Sequence, residues 1–116
     1  DGGLMVPIND NKLIINLISD LNISVILVIS NYLGAINHMI MSYELLKKYN
    51  IKIHKIALSL LDKDDVTYVD PDEMIVSLRN FIDTDIKIMP RESKESIKTI
   101  ATNKKAAWQE QIINLD

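Results

Sequence analysis

Four residues close together, Leu33, Gly34, Ala35 and Asn37, have the types and spacing best suited to chemistry in this chain. They open an amphipathic stretch that follows an apolar run, Ile23 and residues 25–29. A buried strand feeding a glycine-marked helix start places free backbone N–H groups at the carboxyl edge of a parallel sheet. There the helix dipole favours an anion. The Asn37 amide, on the first helical turn, can face the same space as the free N–H groups of Leu33, Gly34 and Ala35. Together they would form a compact carboxylate receptor. The alternative for Asn37 is a plain cap on the helix start.

The remaining reactive side chains carry less. The Gly2-Gly3 pair permits close approach to a ligand, or is merely a turn. His38 and His54 have no partner at metal-ligand spacing, and His38 is expected to be a structural hydrogen-bonding residue. No hydroxyl near a histidine has the base-plus-orienter pattern of a triad. The acidic run at residues 62–65 lacks the spaced oxygen ligands and the glycine of a calcium loop, so a solvated turn is expected. Asp70, Asp72 and Glu73 are accounted for by helix capping and dipole complementarity. Neither G-x-x-x-x-G-K-[ST] nor G-x-G-x-x-G occurs in these residues. No catalytic and no metal-ligating residue is assigned.

The elements that must position the receptor follow from periodicity. Leu13, Ile14, Leu17, Ile18 and Leu21 give a first helix, capped by Asp10 or Asn11 and ended by Asn22. A strand from Ile23 leads to a helix over about residues 35–49, with Asn50 as its C-cap. A second strand covers 53–60. A third helix starts with Asp70 as N-cap, Pro71 at the first position and Glu73 at the third. A strand over 86–89 stops at Pro90, and a polar helix from about Ser93 leads to a tail near Trp108. This alternation reads as one α/β domain with a parallel sheet and flanking helices. Three or four strands are few for such a sheet; a missing N-terminal portion or a partner chain would supply the others.

Composition narrows the class. The 116 residues are 47% hydrophobic, enough for a single folded core. The net charge of −3 is spread along the chain, which argues against a nucleic-acid or anionic-membrane surface. There is no cysteine, hence no disulfide or thiolate nucleophile. No apolar run nears the roughly 18 residues of a membrane span. A cytoplasmic protein is the expectation.

Two segments, Gly2-Gly3-Leu4-Met5-Val6-Pro7 and the later VILVISNYLGAINH, resemble dethiobiotin synthetase, in which a Gly-Gly segment leads to an apolar-Pro pair and a later strand leads to a Leu-Gly-x-Ile-Asn-His helix start. The likeness covers most of the first fifty residues, and beyond them it lies in element order. It implies a P-loop-NTPase-like α/β homodimer, of which this chain would be the C-terminal part. It also implies use of ATP and Mg2+ to close the ureido ring of dethiobiotin from CO2 and 7,8-diaminopelargonate. One amine is carboxylated, the carbamate is phosphorylated, and the second amine displaces phosphate. The resemblance makes Leu33, Gly34, Ala35 and Asn37 the grip on the substrate carboxylate across the dimer interface. It sets Gly2, with Asp1 beside it, against the nucleotide phosphates.

Three departures limit what the resemblance implies. The P-loop with its lysine and hydroxyl, and the magnesium-binding glutamate before the glycine segment, are absent from these residues, so the Mg2+ ligands are expected upstream. Ser59 stands where the family reads adenine with Asn, and a hydroxyl does not reproduce an amide's paired donor and acceptor. Pro90, Arg91 and Glu92 replace a more apolar adenine-lining loop. This chain alone is therefore expected to be inactive. The alternative is a non-catalytic homologue serving as a dimerisation or partner subunit.

Overall fold

The structure, a computed structural model, describes residues 2–89, 102 and 103. Asp1, Pro90, Arg91, Glu92 and, apart from residues 102 and 103, the expected polar helix with its tail lie outside the described residues. Six elements alternate: α1 (Ile14–Leu21), β1 (Val25–Ser30), α2 (Ala35–Lys48), β2 (Ile53–Ser59), α3 (Pro71–Arg79) and β3 (Ile86–Met89). The strands form one sheet in the order β1-β2-β3, parallel throughout. This is the α/β architecture expected of the sequence, a parallel sheet with flanking helices.

The helix ends show which local signals prevailed. At α3 the Asp70 carboxylate accepts from the Asp72 and Glu73 amides at 3.0 and 3.1 Å, with Pro71 next to it, as anticipated. At α1 the start lies later than Asp10 or Asn11. The Asn9 side chain takes the amides of Asn11 and Lys12 at 3.1 and 2.9 Å and closes a turn there instead. The α1 amides of Ile14 and Ile15 donate to the carbonyls of Val6 and Leu4, each at 2.9 Å. The glycine-bearing N-terminal segment thus caps α1 with its own backbone. At the end of α2, Asn50 takes φ 55°, and the Asn50 and Ile51 amides return to Lys47 and Leu46 at 2.9 and 3.0 Å.

Helices α2 and α3 cover one face of the sheet. Ala35, Met39, Tyr43, Met74 and Leu78 pack there with Ile56, Leu58 and Ile86, and Leu27 and Ile29 adjoin them. A second cluster of Ile15, Leu46 and Ile51 seats α1 against the far end of α2. One expectation is corrected here. The apolar run reads as a buried strand, yet β1 lies at the edge of the described sheet. Its Ile26 and Val28 are 59% and 60% exposed, because both helices lie on the opposite face.

Candidate anion-binding site

The turn from β1 into α2 is built by backbone geometry. Gly34 precedes the helix with φ 94°, a left-handed conformation that costs any side-chain-bearing residue, and open space surrounds it. Leu33, 77% exposed, projects beside it. Asn37 is exposed, and its side chain makes no hydrogen bond among the described residues, so the capping alternative is not what the structure shows.

Of the three amides expected to be free, two are engaged. The Leu33 amide donates to the Thr67 carbonyl at 2.7 Å, and the Ala35 amide donates to the Tyr32 carbonyl at 3.0 Å. Ala35 is moreover fully buried, so neither its amide nor its methyl group faces a ligand. The cause is tertiary: the β2–α3 connection runs back over the turn and takes the Leu33 donor, while the tight turn itself takes that of Ala35. The N–H groups of Gly34, Ile36 and Asn37 have no backbone partner among the described residues. With the Asn37 amide they form the donor set available to an anion.

Two neighbouring side chains escaped sequence reasoning. Tyr32 Oη lies 2.6 Å from His38 Nδ1, so Nε2 is the ring nitrogen left for a ligand. His38 is thus the hydrogen-bonding residue expected, though its partner was not foreseen. Asn31 is fully buried. Its Oδ1 accepts from the Leu61 amide and its Nδ2 donates to the Val69 carbonyl, both at 2.7 Å. In the sequence it is one polar residue in a polar loop; only the path of residues 61–69 over it shows its use.

The residues assigned to a nucleotide are more scattered. Gly2 and Gly3 border a cavity of about 980 Å3, shared with Tyr32, His38, Met41 and Leu45. A Cβ at Gly2 would press on the Val6 side chain, which would have to shift to admit it. Ser59 ends β2, half-buried and in register with Ser30 and Met89. The carboxyl edge of the sheet thereby presents small and flexible side chains beside the α2 start. The run at 62–65 folds on itself: Asp65 Oδ1 accepts from the Thr67 amide and hydroxyl at 2.8 and 2.6 Å. No group of three or more His, Asp or Glu stands at metal-binding distance among the described residues. No described helix is long and apolar enough to cross a membrane.

Comparison with known proteins gives concordant matches. The family model described as "AAA domain" matches residues 1–105. An ATP-dependent dethiobiotin synthetase BioD of Cytophaga hutchinsonii is 40% identical over 58 residues, 50% of this chain and 28% of that protein. One from Clostridium botulinum (strain Alaska E43 / Type E3) is 38% identical over 72 residues, 60% of this chain and 32% of that protein. The biotin biosynthesis bifunctional protein BioCD of Bordetella avium is 39% identical over 64 residues, 55% of this chain and 14% of that protein. The chain spans about a third of the length of the dethiobiotin synthetases it matches.

Proposed function

We infer that this chain, which belongs to the AAA domain family and is related to the dethiobiotin synthetases, supplies the substrate-holding part of an ATP-dependent dethiobiotin synthetase. The reaction is closure of the ureido ring from CO2 and 7,8-diaminopelargonate, in biotin biosynthesis. The observation that carries this reading is the α2 start. Three amides without backbone partners among the described residues and an exposed Asn37 side chain stand together there, just past the carboxyl end of β1, and a Cβ at Gly34 would meet nothing within 4 Å.

Such a set suits a carboxylate in two ways. The amide N–H groups present partial positive charge at the helix start, and the Asn37 NH2 adds a side-chain donor. The exposed Leu33 offers apolar contact for the aliphatic chain of the substrate. Leu33 and Ala35 therefore serve through a side chain and a buried packing contact, and the donors are Gly34, Ile36 and Asn37. Holding the carboxylate orients the two amines away from α2, where the carbamate chemistry would proceed in a homodimer with the grip reaching across the interface.

ATP is the expected phosphoryl donor. Of this chain's described residues, Gly2 and Ser59 are the ones proposed to approach it. Asp1, Pro90, Arg91 and Glu92 remain proposed nucleotide contacts on the resemblance alone. A non-catalytic homologue is the second reading, and Ser59 in place of an adenine-reading amide is what favours it.

An amide NMR titration of the chain with 7,8-diaminopelargonate tests the proposal. Saturable shifts at Gly34, Ile36 and Asn37 are expected. Asn37→Ala should weaken binding by about 1–2 kcal/mol. Unchanged affinity together with lower thermal stability would instead assign Asn37 a structural role.

A further inference from the structure

We propose that Asn31 is the positioning residue of the anion receptor: its side chain clasps the β2–α3 connection onto the β1–α2 turn, and this clasp sets which amides the α2 start presents. The proposal rests on the reading of the α2 start as the ligand-holding segment.

Asn31 is the one fully buried polar side chain among the described residues, and both ends of its amide are used. Leu61, bound through Oδ1, begins the connection; Val69, bound through Nδ2, ends it. The Val69 amide also donates to the Asn31 carbonyl at 2.9 Å. One residue therefore grips a loop of several residues at both its ends. The neighbouring contacts depend on this grip. Tyr32 pairs with Tyr68 in an antiparallel bridge, and the Leu33 amide then meets the Thr67 carbonyl at 2.7 Å. That last bond withdraws Leu33 from the receptor and leaves Gly34, Ile36 and Asn37 as donors. With the clasp open, residues 67–69 lose their anchor, the Leu33 amide is released and the turn before Gly34 is no longer fixed.

The clasp needs a donor and an acceptor in one planar group, which an amide supplies. A carboxylate would keep the Leu61 bond and set a negative oxygen against the Val69 carbonyl. A protonated carboxyl would restore the donor. Burial and the facing carbonyl both raise the carboxyl pKa of such a variant. Stability lost on ionisation is then present at low pH and disappears as pH rises through the raised value.

The test is residue-resolved amide exchange on the 116-residue chain, each rate normalised to that of the unfolded chain at the same pH. In Asn31→Asp at pH 8, protection at Leu33 and Val69 should fall at least about tenfold. The signals of Gly34, Ile36 and Asn37 should move, while Leu78 in α3 keeps its protection. At pH 5 these amides should return to within about twofold of the parent chain, whereas Asn31→Ala shows the loss at both pH values. Tyr32, His38, Asp62, Lys63, Asp64, Asp65, Tyr68 and Asp70, the titratable groups on the two joined segments, are common to all variants and cancel in the comparison.

Parent-like protection in Asn31→Asp at pH 8, or loss without recovery at pH 5, would overturn the clasp. Should that variant not fold, Leu61→Pro removes the amide that Oδ1 accepts, and unchanged protection at Leu33 would overturn it equally. Affinity for 7,8-diaminopelargonate should follow the same pH pattern in Asn31→Asp. If the parent chain does not bind that compound, the reading of the α2 start fails, and the clasp is judged by exchange alone.

Discussion

Gly34 concentrates the local requirement of the site in one dihedral angle. Its φ of 94° is left-handed, and a Cβ there would meet nothing within 4 Å, so the glycine answers to backbone conformation and not to crowding. Gly34→Ala is therefore expected to lower unfolding free energy by about 1–2 kcal/mol in denaturant titration. An unchanged value would show that the turn tolerates a side chain and is not held as described. The glycine and Asn37 were legible in the sequence because a glycine after an apolar run marks a helix start. The fate of the Leu33 and Ala35 amides was not. Whether an N–H is spent depends on where residues 67–69 pass, and that is a tertiary fact with no local signature.

Between elements, the helix α3 boundary was readable to the residue because its signals are local and agree. Asp70, Pro71 and Glu73 all mark the same start, and the Asp70 carboxylate holds two amides. Asp70→Ala should cost about 1 kcal/mol of stability by thermal or denaturant unfolding. It should leave the amide signals of Gly34 and Asn37 in place, because the Val69 contacts to Asn31 run through the Val69 backbone; displacement of those signals would link α3 to the receptor more tightly than described. Helix α1 shows the opposite case. Two plausible caps, Asp10 and Asn11, lost to a turn closed by Asn9, and the backbone of Leu4 and Val6 met the helix amides instead. The burial of β1 was also misjudged, because an apolar run does not say how many faces its neighbours cover.

On the scale of the whole molecule, the parallel sheet with helices was legible from the alternation of periods. The organisation of a nucleotide site was not, since Gly2 and Ser59 belong to distant segments and Pro90 to Glu92 lie beyond the described residues. Phosphoryl transfer depends on positioning and neutralising the phosphates, and no P-loop sequence occurs among the 116 residues. Incubated alone with ATP, Mg2+, bicarbonate and 7,8-diaminopelargonate, the chain should form no dethiobiotin above background by mass spectrometry; formation would place phosphate-binding groups among residues not assigned to them. What these residues are proposed to do is hold a carboxylate, and that claim is open to direct measurement. Parallel amide NMR titrations with 7,8-diaminopelargonate and with its methyl ester change only the charge at issue. The free acid should shift Gly34, Ile36 and Asn37 saturably while the ester leaves them unmoved; equal shifts from both compounds, or none from the acid in the folded chain, would contradict a carboxylate receptor at the start of α2.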